Sequence, residues 1–482
     1  MRSDIEAYRL MRAGRPEDAL RHAQRAVAGQ SACTSAHGLL ATILIQLGRP
    51  DDAEATVLDA LRRTPGDADA YDALAHVSMQ LGHHERSNEL YRRVVNLNSN
   101  SPRFWYNLAS SERSFGRLLE AEDACDRAIA LDRSHYQSHL LRSELRLQTP
   151  ETNHVDELKR LLSAATSDDR ARLFLGYALG KELDDLHRFD EAFAAFVDAA
   201  QTRRRHLAYD VAVDEHKLQQ IVEAYPRQNR PNAVADIGCR RHIFVIGLPR
   251  SGTTLLERVL TGLPNVRSNG ETGNFSRALL SATPSGDGSV FARAASADPT
   301  AVASNYERFA RANAADAGVV EKMPLNYLYA GAIHRALPEA SVLLVTRAPI
   351  DSCFAMYRTL FGDAYPFSYD FSDLARYYAA YQKLINHWRN TLEDSLFEVV
   401  YEDLVRDPQR VGMAVAGHCG LTWVPSAVEV HKNSGVSLTA SAAQIRRPIY
   451  GTSSGRWRHY RDHLRPLVGA LRQYGVPTPD DA

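Results

Sequence analysis

The sequence predicts an α-helical solenoid followed by an α/β domain whose parallel sheet is flanked by helices. Three observations carry this. Glycines 14, 48, 82 and 116 recur every 34 residues. Beyond about residue 240, short apolar runs alternate with helix-like segments, as in a parallel sheet with crossover helices. At 482 residues the chain exceeds a typical single core, so two or three domains are expected.

The repeat is legible beyond its glycines. Five residues after each comes Ala19, Ala53, Ser87 or Ala121; twelve after comes Ala26, Ala60, Val94 or Ala128; seven before comes Ala7, Ala41, Ala75 or Ala109. Small side chains at fixed offsets let two helices cross closely, and a glycine in the turn takes a positive φ cheaply. Leu40, Leu74 and Leu108, with Tyr71 and Trp105, fill the seam. A 34-residue period of this kind resembles the tetratricopeptide repeat. "HRFDEAFAAFVDAA", residues 187 to 200, keeps the second-helix pattern with Ala192, whereas 137 to 180 looks helical but out of register. The expected solenoid therefore spans 1–200 and a helical linker 201–238, with "PRQNRP" breaking that helix and the boundary near 230 to 240. Such arrays present a groove that suits a peptide or protein partner.

The second domain, 239–482, starts with "HIFVIG" running into "LPRSGTTLLERVL". Gly247, Gly252 and Thr254 have the spacing of a phosphate-binding P-loop, but Thr253 stands where its lysine belongs. Amides of 250 to 254 at a helix start make a nest for an anion. Further strands are expected at Val266, in "AGVVEKM", in "SVLLVTR" and in "LFEVVYEDL". Ligands bind at the carboxyl ends of such strands. There the sequence places Arg250, Glu271 in "NGETGNF", Lys322 ahead of Pro324, and Arg347. "YGTSSGRWRHY" adds Gly455, Arg456, Trp457 and Arg458, residue types suited to a loop over a nucleotide phosphate.

Composition excludes several classes. The net charge of −1 offers no general attraction to nucleic acid or an anionic membrane. Five scattered cysteines form no metal-ligand spacing, and no metal is expected. No apolar run is long enough for a membrane span, and the charged N-terminal segment lacks a signal-peptide core, so a cytoplasmic location is expected.

Together, "GLPRSGTTLLERVL", "EKMPLNYLYAGAIHRALPEA", "LLVTRAPIDSCFAMYRTLF", "YEDLVRDP" and "GRWR" resemble sulfotransferases that use 3′-phosphoadenosine 5′-phosphosulfate. The combination is similar to bacterial sulfotransferases fused to tetratricopeptide repeats and, more distantly, to tyrosylprotein sulfotransferases. It covers roughly residues 240 to 475. The resemblance implies that Arg250, Ser251, Gly252, Thr253 and Thr254 hold the 5′-phosphosulfate. Arg347 would bind the 3′-phosphate, helped by Gly455, Arg456, Trp457 and Arg458. It implies Glu271 as general base, with Lys322 and Arg250 stabilising charge near the sulfuryl group. One position departs: where the family has a serine eight residues beyond its arginine, this chain has Ala355.

The implied activity is transfer of a sulfuryl group to an acceptor hydroxyl, on a peptide or protein if the repeats recruit the substrate. A sulfuryl group carries less charge than a phosphoryl group, so amides and fixed cations suffice without the kinase lysine. One alternative is a P-loop kinase, against which Thr253 and the basic Arg347 site argue. The other is a non-catalytic repeat scaffold with a nucleotide-binding, sulfotransferase-like domain.

Overall fold

The computed structural model describes residues 2–28, 35–63, 66–226, 242–310, 317–433, 435–439, 442–451 and 453–479. The expected boundary near 230 to 240, and Cys33 and Cys239, lie outside the described residues. The chain divides into two compact units, Met1–Arg146 and Leu147–Ala482.

The first unit is wholly helical among its described residues: α1 Arg2–Arg12, α2 Pro16–Ala28, α3 Ser35–Gln46, α4 Pro50–Arg62, α5 Ala68–Gln80, α6 His84–Leu97, α7 Pro102–Phe115, α8 Leu118–Leu131 and α9 Tyr136–Glu144. The repeat geometry is as the spacing requires. Gly14, Gly48, Gly82 and Gly116 turn the chain at φ between 70° and 82°. Ala7, Ala41, Ala75 and Ala109 are fully buried where helices cross. Ser87, the polar member of its set, donates its hydroxyl to the Ala75 carbonyl at 2.8 Å, which satisfies it in the seam. Between repeats, buried Glu112 takes Arg92 at 2.8 Å and Asn88 at 3.1 Å.

Residues 147 to 200, assigned by the sequence to the solenoid, belong to the second unit. Four helices open it: α10 Val155–Ala164, α11 Asp169–Asp185, α12 Phe189–Arg205 and α13 Val211–Ala224. α11 and α12 pack so closely that a Cβ on Gly180 would lie 2.6 Å from the Phe196 ring. Then come β1 His242–Gly247, α14 Thr253–Leu260, β2 Val266–Ser268, α15 Asn274–Ala282, α16 Val290–Ala295, α17 Pro299–Ala310, β3 Gly318–Lys322, α18 Ala330–Ala336, β4 Ser341–Thr346, α19 Pro349–Tyr357, α20 Phe371–Leu392, β5 Leu396–Val400, α21 Tyr401–Arg406, α22 Pro408–His418 and α23 Arg465–Gln473. The five strands form one sheet in the order β2-β3-β1-β4-β5, every pair parallel. The central strands are continuous apolar runs because both faces are covered. Connections leave in opposite directions at β1 and β4, and a crevice opens at such a switch point.

Long-range polar contacts explain why α11 to α13 join this unit. Arg204 pairs with Asp373 at 2.8 Å, and Arg376 grips Glu215 at 3.0 and 2.5 Å. Asp184, 2% exposed on α11, takes Arg358 Nη1 at 2.6 Å, Arg456 Nη2 at 2.6 Å and the Tyr460 hydroxyl at 2.5 Å. Burial alone would raise its carboxyl, but Arg358 and Arg456 outweigh burial and hold it below the ordinary value. A depressed carboxyl adds stability above its unfolded pKa near 4 and loses it as pH falls through the folded value. Asp184→Asn is therefore expected to cost about 3–5 kcal/mol at neutral pH. The gap to wild type should shrink as pH falls to about 3 and below. Melting curves across that range check this; a gap independent of pH would assign the loss to packing instead.

Candidate active site

All five strands deliver residues to one place through their carboxyl ends. Beyond β1 runs the loop Leu248–Gly252; beyond β2, Glu271; β3 ends on Lys322; Arg347 follows β4 and Tyr401 follows β5. A cavity of about 450 Å³ lies over these ends, lined by Arg250, Gly252, Thr253, Thr254, Glu271 and Arg347 among others.

The loop is shaped by what its glycines touch. A Cβ on Gly247, at φ 147°, would stand 2.5 Å from the Val345 carbonyl oxygen. One on Gly252, at φ 107°, would meet the Tyr401 ring at 2.4 Å. Arg250 itself has φ 66°, an unfavourable conformation for a non-glycine residue. Arg347 Nη1 holds it there by donating to the Arg250 carbonyl at 3.0 Å. The Arg250 guanidinium donates to Gln444 at 3.0 Å. Thr253 opens α14, so the amides of the first turn have no carbonyl within the helix. The buried Ser251 hydroxyl makes no hydrogen bond among the described residues.

Glu271 and Lys322 form the second component. Lys322 Nζ donates to Glu271 Oε1 at 2.5 Å and lies 3.7 Å from Glu257 Oε2. Lys322 is fully buried, and only Glu271 of the three reaches the cavity wall. The Lys322 ammonium therefore stands behind the carboxylate and does not line the cavity. The intervening Glu271 side chain is the physical reason. On the other face of β3, Glu321 accepts the Phe275 amide at 3.2 Å and Asn326 at 3.3 Å. Burial raises the Glu321 carboxyl to about 7. It anchors the turns before α15 and after β3 that frame Glu271, and its place in an apolar strand gave no signal in the sequence.

Arg347 anchors the third component. Its side chain is 8% exposed, 4.0 Å from Asp351. Its guanidinium stacks over Tyr401 at 4.8 Å, and Nη2 donates to the Ser453 carbonyl at 2.5 Å. Burial lowers its pKa, and its buried Nε–H makes no hydrogen bond among the described residues. Asp351 accepts the amides of Gly455 at 2.6 Å and Trp457 at 3.3 Å, fastening the C-terminal segment to α19.

Two groups of expected residues thus divide. Arg250, Gly252, Thr253, Thr254, Glu271 and Arg347 share the cavity. Ser251 and Lys322 lie behind it, and Gly455, Arg456, Trp457 and Arg458 do not line it. Arg456 is turned to Asp184, and Arg458 lies over the Trp457 ring at 5.5 Å. The same segment reaches the cavity through Tyr450 and Ser453 instead. Arg358, Tyr365, Tyr401 and Tyr450, which no motif in the sequence marks as site residues, also form the wall. Among the described residues, no His, Cys, Asp and Glu side chains are grouped as metal ligands, and no helix is long and apolar enough to cross a membrane.

Comparison with known proteins agrees with this anatomy. Residues 242–425 match the sequence model of a sulfotransferase family, and 10–77 and 73–136 match tetratricopeptide-repeat models. An uncharacterized protein of Aquifex aeolicus is 25% identical over 380 residues, 75% of this chain and 49% of that protein. The chain thus spans about half the length of that relative. The sulfotransferase domain of a Synechococcus olefin synthase is 18% identical, covering 53% of this chain and 98% of its own, at a TM-score of 0.35. A sulfotransferase from Alicyclobacillus acidocaldarius is 18% identical, covering 50% and 98%, at 0.30.

Proposed function

We propose that this chain, a sulfotransferase-family domain behind tetratricopeptide repeats, moves a sulfuryl group from 3′-phosphoadenosine 5′-phosphosulfate to an acceptor hydroxyl. One observation carries the reading: the phosphate-type loop, Arg347 and the Glu271 carboxylate open on a single cavity. Its volume suits a nucleotide-sized ligand. A buried donor on the wall, the Nε–H of Arg347, has no hydrogen-bond partner among the described residues and fits a polyanionic occupant.

Arg250, Ser251, Gly252, Thr253 and Thr254 would hold the 5′-phosphosulfate, and Arg347 the 3′-phosphate. The bound donor supplies a sulfuryl group whose bridging oxygen leaves with adenosine 3′,5′-bisphosphate. Glu271 takes the acceptor hydroxyl's proton as its oxygen bonds sulfur. Lys322 orients that carboxylate from behind, and Arg250 offsets charge growing at the loop. The acceptor is an alcohol or phenol, on a peptide or protein if the repeat groove recruits it.

Incubation with sulfur-labelled donor and fractionated cell components tests the reading, alongside calorimetry with adenosine 3′,5′-bisphosphate. Label transfer is expected, and none from labelled ATP. Nucleotide binding without transfer would make the chain a scaffold. Failure to bind the bisphosphate would overturn the donor assignment.

A further inference from the structure

Arg358 is a cation on the cavity wall whose place in the fold gives it a task. It follows α19 directly, and Asp351, Ala355 and Arg358 follow one another at i, i+4 and i+7 along one helical face. Asp351 is committed to the Gly455 and Trp457 amides. Ala355 lines the cavity with a methyl group that can donate nothing. Arg358 lines the same cavity. Its Nη1 donates to Asp184 at 2.6 Å, which fixes the guanidinium on a buried anchor. Asp184 is shared with Arg456, so two guanidinium groups face one carboxylate and the trio keeps a net positive charge. Only Arg358 of that trio reaches the cavity.

Arg347 cannot neutralise a phosphate monoester by itself. Such a group carries about two negative charges at neutral pH. Two nitrogens of Arg347 already donate to the carbonyls of Arg250 and Ser453. Arg358, with one nitrogen on Asp184, retains most of its five N–H donors.

Resting on the donor reading above, we infer that Arg358 is a nucleotide-binding residue that grips the 3′-phosphate together with Arg347, on the helix face where Ala355 supplies no donor. Asp184 is its positioning residue. The arrangement makes preference for a 3′-phosphorylated nucleotide depend on two guanidinium groups.

Calorimetry with adenosine 3′,5′-bisphosphate and adenosine 5′-monophosphate tests this on the full chain. Arg358→Gln is expected to reduce the affinity ratio between them roughly 10- to 100-fold, since a charge-assisted hydrogen bond is lost. Monophosphate affinity should stay within about 3-fold. Arg358→Lys keeps a cation against Asp184 but loses the planar fork, so a smaller fall in the ratio is expected. It serves as the measurement if the glutamine variant does not fold. An unchanged ratio in the folded variant overturns the assignment. If Arg347→Ala abolishes the preference while Arg358→Gln keeps it, the donor reading stands and only Arg358 loses its role. A wild-type chain indifferent to the 3′-phosphate would sink both.

Discussion

Glu271→Gln should lower turnover on the order of 100-fold or more while nucleotide affinity changes little. The geometry makes the substitution specific. Glu271 Oε1 is 2.5 Å from Lys322 Nζ, and Lys322 has a second carboxylate, Glu257, at 3.7 Å. Glutamine has nearly the same shape and keeps an oxygen that can accept from the ammonium. Lys322 stays buried beside Glu257 and the turn after β2 keeps its anchors. What disappears is a charged oxygen able to take a proton at the cavity wall. Steady-state transfer rates beside calorimetric titration separate the two effects. Equal turnover in variant and wild type would strip Glu271 of the base role, and a parallel loss of nucleotide affinity would point to a damaged pocket.

Arg347→Ala is the second large effect. The guanidinium is 8% exposed and is held by two carbonyls and the Tyr401 ring. Its loss would remove a cation from the proposed 3′-phosphate site and free the strained Arg250 backbone. Affinity for adenosine 3′,5′-bisphosphate should fall about 100-fold or more, at 1.5–3 kcal/mol for each charge-assisted hydrogen bond lost. Affinity for adenosine 5′-monophosphate should fall less, and only through the loop. The ratio of the two affinities is the readout. A variant that keeps its preference for the bisphosphate would place the 3′-phosphate elsewhere.

Much of this anatomy is legible in the sequence because its signals are local. Strands buried on both faces read as continuous apolar runs, so their ends, and with them Arg250, Lys322 and Arg347, can be located. The 34-residue period marks the repeat turns at Gly14 to Gly116 directly. What eluded sequence reasoning depends on partners far along the chain. Arg456 faces Asp184 across 272 residues, and no local pattern shows that it turns from the cavity. Lys322 stands at a strand end as expected, but its depth follows from Glu271, 51 residues away, which covers it at 2.5 Å. Residues 147 to 200 keep a repeat-like second helix at Ala192, yet their contacts bind them to the end of α19 and to the C-terminal segment. The aromatic wall of Tyr365, Tyr401 and Tyr450 comes from three separate segments.

The fastening of Gly455 and Trp457 to Asp351 also sets an order of events during synthesis. The loop at 247 to 252 leaves the ribosome about two hundred residues, and Arg347 about a hundred residues, before the segment that supplies Tyr450 and Ser453. A chain still being made holds an unfinished pocket. Its wall closes only once the segment carrying Tyr450 and Ser453 has folded against α19 through Asp351.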